Sequence, residues 1–242
     1  MDRKLKIAII GYGTMGHEIE KLARKAEIEI TEIFDIDNPI KADGKYGFDV
    51  AIDFSFPAAA PENIKVVASL GKNIVVGTTG WYEHLPEVID IVKKAGIGCV
   101  YSSNYSLGMN IFRKIVAQAA QMIDKVPDYD IIVSEIHHNR KKDFPSGTAL
   151  TLANVIIENV ARKTEILTQL NQGEAVQPQQ LEVSSARVGD VAGVHSVIID
   201  SGADTIELTH RAKNRSGLAA GAIIAAERIF GKQGIYDFEE LL

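Results

Sequence analysis

The sequence predicts an α/β protein: a parallel sheet with helices on both faces, followed by a smaller α+β unit built on a mixed sheet. Two observations predict it. Through the first hundred residues, short and nearly continuous apolar runs alternate with amphipathic ones. That alternation requires parallel strands, because each helix carries the chain back over the sheet and both faces end up covered. Beyond residue 180, three strand-like runs follow one another with only turn residues between them, which is the pattern of a meander.

The elements follow in order. Residues 5–10 form the first strand, ended by Gly11-Tyr12-Gly13. Residues 15–25 have helical spacing, with Ile19, Leu22, Ala23 and Ala26 on one face. Residues 28–34 and 48–54 are the second and third strands. Residues 57–70 are a helix, with Pro57 suited to its first turn. Residues 73–76 are a strand, 83–94 a helix and 98–102 the fifth strand. In the second half, 107–125 is a long helix, 129–138 a strand and 148–162 a helix. Residues 169–180, rich in Gln with Asn, Gly and Pro, read as a loop. Residues 181–188, 194–200 and 204–211 are strands, and 216–230 a last helix. The second unit thus has about four strands and too few helices to cover both faces of its sheet. Its open face suits contact with another subunit.

Composition narrows the function. The chain has 242 residues, 46% hydrophobic and 24% charged, enough for one large domain or two modest ones with a real core. A formal net charge of −6 argues against general nucleic-acid binding and against a polybasic membrane anchor. No apolar run approaches the roughly 20 residues that span a bilayer. The opening MDRKLKIAIIGYG places basic residues before an apolar run, but the run is too short for a signal peptide and breaks into glycines. Cys99 stands alone, so an intramolecular disulfide is excluded, and a buried position is expected for it. A cytoplasmic protein is expected.

Gly11-Tyr12-Gly13-Thr14-Met15-Gly16 is a G-x-G-x-x-G between a strand and a helix, and Asp35 lies 19 residues beyond its last glycine. Strand before, helix after and acid at that distance together point to a dinucleotide: glycines admit the pyrophosphate, the helix start favours its charge, and the acid bonds ribose hydroxyls. This makes the first domain Rossmann-type. Asp37 follows Asp35, and no Lys or Arg appears before Lys41. A 2′-phosphate would meet carboxylates, which favours NADH, with NADPH possible through a lysine such as Lys41. Asp53-Phe54-Ser55, Gly77-Thr78-Thr79-Gly80 and Ser102-Ser103-Asn104-Tyr105 each follow a parallel strand, where this fold places its ligands.

Residues 134–150 read SEIHHNRKKDFPSGTAL, with two His, one Arg and two Lys within positions 137–142. Three readings compete. The stretch can be a solvated basic loop. A metal site lacks a ligand set, since adjacent His137 and His138 point to opposite sides of a strand and no nearby Cys or Glu is expected to complete one; no metal is expected. The third is an anion pocket holding an acid–base histidine, in which Ser146-Gly147-Thr148 opens a helix with free N–H groups suited to a carboxylate. A serine hydrolase built on Ser146 and a nearby lysine would leave the dinucleotide motif unexplained.

The stretch Glu135-Ile136-His137-His138 through Lys141, Asp143 and Pro145-Ser146-Gly147-Thr148-Ala149 strongly resembles the signature of the 4-hydroxy-tetrahydrodipicolinate (dihydrodipicolinate) reductase family. Gly77-Thr78-Thr79-Gly80, the SNYSLGMN run, the segment from Val188 to His195 and Thr209-His210-Arg211-Ala212 are also similar to the family's. The resemblance spans nearly the whole chain. It implies NADH- or NADPH-dependent reduction of a cyclic imine dicarboxylate to tetrahydrodipicolinate in lysine and diaminopimelate biosynthesis. It implies His137 as acid/base and Lys141 as the second catalytic group, a proton donor or carboxylate binder. His138, Ser146, Gly147 and Thr148 would hold the substrate. Gly11, Tyr12, Gly13, Thr14, Met15, Gly16, Asp35, Ser55, Gly77, Thr78, Thr79, Ser102, Ser103, Asn104 and Tyr105 would line the cofactor. It further implies a homotetramer joined through the second sheet, a dinucleotide domain of residues 1–106 and 216–242, and a substrate-binding and oligomerisation domain of residues 107–215.

The sequence departs from the family pattern in places. Phe144 replaces the usual alanine before Pro145, the glycine loop is one residue shorter than in many members, and the segment between Asp35 and Phe48 is short. Arg140 and Lys142 are not fixed by the signature. His17, His84, His195 and His210 are expected to pack or to face solvent or a partner subunit. An aspartate or homoserine dehydrogenase shares the two-domain plan but not the His-His-x-x-Lys with Pro-Ser-Gly-Thr combination. A non-catalytic nucleotide sensor would not need the acid–base and anion-binding residues.

Overall fold

The computed structural model describes residues 4–242; the first three residues of the basic N-terminal lead lie outside that range. The chain forms two compact units. One comprises the chain up to Leu107 together with Arg215–Leu242, the other Gly108–Asn214.

The first unit is a six-stranded, all-parallel sheet. Its strands are β1 (Lys6–Ile10), β2 (Glu29–Phe34), β3 (Val50–Asp53), β4 (Asn73–Val76), β5 (Gly98–Tyr101) and β11 (Gly234–Asp237), in the spatial order β11-β5-β4-β3-β1-β2. Strand alternation divides the core in two. Ile7, Ile9, Val50, Ile52, Val75 and Val100 face α1 (Thr14–Lys25) and α6 (Ser216–Ile229). Ala8, Ile10, Ala51, Ile74, Val76 and Cys99 face α2 (Ala60–Ser69) and α3 (Leu85–Ala95). Cys99 is fully buried as expected, and burial pushes its thiol up to about 12.

The second unit is a five-stranded mixed sheet, ordered β10-β9-β6-β8-β7. At its centre β6 (Asp130–His137) runs antiparallel to β9 (Val194–Asp200) and parallel to β8 (Gln180–Arg187). β10 (Thr205–Arg211) closes a hairpin with β9, and β7 (Glu165–Leu167) runs parallel to β8. Helices α4 (Leu107–Asp124) and α5 (Gly147–Asn159) bury one face over Phe112, Val116, Val133, Leu152, Val183 and Val197. The other face presents Ile132, Ser134, Ile136, Ser196 and Ile198, all half-buried.

Several expectations need correction. The second sheet has five strands, because three-residue β7 is too short to show a period. The last three long strands are not a meander. β6 lies between β8 and β9, and residues 188–193 are long enough to step past it, whereas residues 201–204 make only a tight hairpin link. Helix α2 starts at Ala60, with Pro61 rather than Pro57 in its first turn, because the Phe56 carbonyl accepts the amides of Ala59 and Ala60 in a preceding turn. The parallel sheet gains β11, whose four residues carry no signal of their own. It is held from a distance: Asn73 Nδ2 donates to the carbonyls of Ile229 (2.7 Å) and Lys232 (3.2 Å), and its Oδ1 accepts the Gly98 amide (2.8 Å). No helix among the described residues is long and apolar enough to cross a membrane.

Asn73 therefore fastens the C-terminal segment onto β5. Asn73→Ala is expected to lower unfolding free energy by about 2 kcal/mol, from three lost bonds at roughly 1 kcal/mol each with partial rescue by water. Amide exchange at Ile235–Asp237 should accelerate more than elsewhere. Uniform exchange protection in the variant would show that β11 is held by other means.

Candidate active site

In the first unit, a cleft of about 590 Å³ lies at the carboxyl ends of β1, β2 and β3. Gly11, Tyr12, Gly13, Asp35, Asp37, Ser55 and Asn63 line it beside the apolar Ile36, Pro39, Ile40 and Phe56. Gly11 has φ +88°, and a Cβ there would meet the Phe54 carbonyl oxygen at 2.4 Å. A Cβ on Gly16 would meet the Gly11 carbonyl oxygen at 2.4 Å, so strand and helix approach as closely as this turn demands. Around Gly13 the space is open, no side chain caps α1, and its first turn holds no acid. The first-turn amides of Thr14, Met15 and Gly16 lack carbonyl partners within the helix. This cradle fits a pyrophosphate.

Asp35 caps its own turn, its Oδ1 accepting the amides of Asp37 (3.0 Å) and Asn38 (2.9 Å). The residues lining the cleft include two carboxylates and no Lys or Arg; Lys41 is not among them.

Asp53, read from the sequence only as part of a loop at a strand end, organises the neighbouring loops. Fully buried, it accepts from Ser55 N (3.0 Å), Ser55 Oγ (2.8 Å), Thr78 Oγ1 (2.7 Å) and Asn63 Nδ2 (2.8 Å). Burial raises its pKa against these bonds. The loops after β3 and β4 are thus tied to one carboxylate. The loop after β5 is fixed differently. Ser102 Oγ bonds the Asn104 backbone, and buried Tyr105 donates its hydroxyl to the Val76 and Val100 carbonyls (3.0 and 3.1 Å). Tyr105 supports that loop from the core, with 1% of its surface exposed. Gly77, Thr79 and Ser103 share the same sheet edge but do not line the cleft.

In the second unit, strand register gathers the signature. Residues 131, 133, 135 and 137 of β6 share a face, Glu135 lies opposite His195 of β9, and His137 lies opposite Arg187 of β8. Glu135 is 1% exposed. Its Oε2 bonds His137 Nδ1, and its Oε1 accepts from Arg187 Nη1 (2.9 Å) and the Ser146 amide (3.2 Å). Burial works against its ionisation, but the bonds from His137 and Arg187 prevail and hold its pKa below the usual carboxylate range. Arg187 also donates to the Asp143 carbonyl (2.6 Å) and lies 4.9 Å from the Phe144 ring centre. Phe144 thus packs on Arg187. Sequence reasoning missed Arg187, whose only local signal is a lone cation at a strand end.

Ser146 caps α5, its Oγ accepting the Ala149 amide (3.2 Å) and facing His195 Nε2 (3.2 Å). The His195 ring stands edge-on to His137, centres 5.1 Å apart. His195, expected to be structural or interfacial, is instead part of this cluster. Lys141 Nζ pairs with Asp143 Oδ1 (2.8 Å), and Asp143 Oδ2 reaches the Gly147 amide (3.4 Å). Burial opposes ionisation of Asp143, but Lys141 outweighs it and lowers the pKa. Of the three amides expected to be free, Ser146's is held by Glu135 and Gly147's lies against Asp143. Only that of Thr148 has no partner among the described residues.

His138 is half-buried, with its Nδ1 unpartnered. Arg140 pairs with Asp190 on the surface (2.7 Å), and Lys142 is exposed. His210 packs near Phe112, ring centres 5.9 Å apart; His17 packs on Tyr12, and His84 lies by Glu83 at the surface. No cluster of metal ligands occurs among the described residues.

Burial, then the neighbouring His137, drives the His195 pKa down to about 4. Unfolded, the ring protonates near 6.5. The folded value is the lower one, so stability is complete above pH 6.5 and is lost as pH falls toward 4. Unfolding free energy should be about 2 kcal/mol lower at pH 5 than at pH 7.5 from this group. His195→Gln should remove that increment in urea titrations at the two pH values; an unchanged increment would mean that other groups set it.

Comparison with known proteins agrees with this layout. The family described as dihydrodipicolinate reductase, N-terminus, matches residues 5–105, and dihydrodipicolinate reductase, C-terminus, matches residues 108–242. A 4-hydroxy-tetrahydrodipicolinate reductase of Christiangramia forsetii is 38% identical over 240 residues, covering 98% of each chain. That of Methanosarcina acetivorans is 36% identical, covering 98% of this chain and 88% of its own. The fold matches a dipicolinate-bound dihydrodipicolinate reductase from Paenisporosarcina sp. TG-14 with a TM-score of 0.78 at 21% identity, over 99% of this chain and 100% of that one. With both halves matched in order and relatives aligned nearly end to end, the chain belongs to the dihydrodipicolinate reductase family.

Proposed function

We propose that this protein converts 4-hydroxy-tetrahydrodipicolinate, a cyclic imine dicarboxylate, to tetrahydrodipicolinate in lysine and diaminopimelate biosynthesis: the 4-hydroxyl leaves as water, and the resulting conjugated imine takes a hydride from a reduced nicotinamide dinucleotide and a proton. The observation that carries the reading is the convergence of the Lys141 ammonium and the Gly147 amide on one carboxylate, that of Asp143, beside an acid–base histidine. These donors already take one carboxylate, and this supports the reading that they suit a substrate that carries two.

The first unit binds the dinucleotide, with pyrophosphate at Gly11–Gly16 and a ribose at Asp35. The nicotinamide supplies a hydride. The remaining work falls to side chains of the second unit. Lys141 and the amides of Gly147 and Thr148 orient the carboxylates, and charge-assisted bonds there favour the charge that develops on the ring. His137 gives the proton that quenches this charge. His138 and the Ser146 cap frame the same place. The half-buried sheet face of the second unit suits the joining of subunits into a homotetramer.

With two carboxylates and no cation lining the cleft, NADH is the favoured cofactor. The test is a coupled assay in which a dihydrodipicolinate synthase makes the substrate from pyruvate and aspartate semialdehyde, with reduced cofactor followed by absorbance. Turnover is expected, with kcat/KM for NADH at least about tenfold above that for NADPH, a difference of roughly 1.4 kcal/mol. No consumption of either cofactor while both bind would overturn the reductase; equal use would overturn the preference alone.

Lys141→Ala should lower kcat by about a hundredfold or more, leaving NADH affinity, read by fluorescence titration, unchanged. A variant with normal turnover would remove Lys141 from the catalytic machinery.

A further inference from the structure

Glu135 is a buried carboxylate to which no chemical step has been assigned. We propose that it is a positioning residue that sets the tautomer of His137, fixing a proton on Nδ1 so that Nε2 is the atom that hands a proton to the substrate. The tautomer follows from the contacts in the second unit; its kinetic consequence rests on the reading of His137 as the acid.

Three observations carry it. Glu135 and His137 are two apart on one strand, so their side chains share a face, and Oε2 meets Nδ1 directly. The other oxygen is occupied by two donors that cannot accept, the Arg187 guanidinium at 2.9 Å and the Ser146 amide at 3.2 Å. A carboxylate so held stays ionised and offers only acceptors, so the hydrogen in the Glu135–His137 bond belongs to Nδ1. Third, His137 has a hydrogen-bond partner at Nδ1 and none at Nε2 among the described residues. The backbone beside it is Gly193 at φ +149°, where a Cβ would come within 2.9 Å of that nitrogen. Glycine keeps the approach to Nε2 clear. The neighbouring His195 is neutral, so it adds no second positive charge beside the ring.

In the step, the Nε2–H bond of the imidazolium breaks and a C–H bond forms on the substrate ring that has received the hydride. The electron pair returns to Nε2, and the ring is left neutral with Nδ1–H still on Glu135. Glu135→Gln tests this sharply. The amide oxygen must face the two donors on the Oε1 side, so the NH₂ group faces Nδ1. Nδ1 then has to accept, and the proton moves to Nε2. The imidazolium also loses its counter-charge.

The experiment is a nitrogen-15 spectrum of the full chain labelled in histidine, with the His137 signals assigned from their loss in His137→Gln. It is paired with steady-state kinetics of Glu135→Gln. For the neutral ring of the wild-type protein, the expected signals are a protonated Nδ1 and an unprotonated Nε2. Glu135→Gln should invert the pair and lower kcat by about a hundredfold, with the cofactor KM unchanged. A wild-type ring protonated at Nε2 would overturn the proposal, and this arm needs no variant to fold. Retention of Nδ1–H in the variant would overturn it too. An inverted tautomer with unchanged kcat would remove His137 as the acid and Glu135 as its positioning residue. Absence of turnover in the wild-type protein would instead be a failure of the proposed function, leaving the spectrum to decide the tautomer.

Discussion

The burial of the Glu135 carboxylate at the end of β6 is the constraint on which the second unit depends. A carboxylate taken out of water costs several kcal/mol unless donors replace its hydration. Here they come from three separated places in the chain: the imidazole two residues on, the guanidinium closing β8 and the amide opening α5. Satisfying one charge therefore fixes the His137 ring, the parallel partner strand and the start of α5. Loss of the Arg187 guanidinium takes away the permanent counter-charge of the buried pair, at roughly 3–5 kcal/mol. The first unit repeats the device. Asp53, buried under the sheet edge, gathers Ser55, Thr78 and Asn63 and so ties together loops that come from different strands.

Each unit solves its own electrostatic problem with local means. The cleft of the first unit has two carboxylates at one end and an uncapped helix start at the other, so its charge is sorted by position. The second unit concentrates Lys141, Arg187 and a histidine pair in a chain whose net charge is −6. Only part of that positive charge is available to a substrate. Arg187 is spent on Glu135 and the Asp143 carbonyl, and Arg140 on Asp190. Lys141, held by a partly exposed aspartate, is the cation that can exchange partners.

What could be read from the sequence was what has a short-range cause. The G-x-G-x-x-G turn, Asp35 at the end of β2 and the His-His-x-x-Lys stretch before an N-cap serine are local patterns, and each lies on the element expected of it. The long strands and helices came within a few residues of their observed ends. What was not legible depends on register between distant strands. Nothing near Arg187 says that it faces His137, and nothing near His195 says that it faces Glu135; both follow from pairing of β8 and β9 with β6. The fate of the Gly147 amide was hidden for a related reason, since Asp143 folds back to it across a short loop. Strands β7 and β11 are too short to have a period and exist because a longer strand offers them an edge.

If residues 137–148 are built around one small ring bearing two carboxylates, a second carboxylate on a ring ligand must add to its affinity. Calorimetric titration of pyridine-2,6-dicarboxylate and of pyridine-2-carboxylate into the NADH-saturated protein tests it most directly. The two share ring and size class and differ in one charge. The dicarboxylate is expected to bind at least about a hundredfold more tightly, close to 2.7 kcal/mol. Equal affinity for the two, or stronger binding of the monocarboxylate, would contradict it.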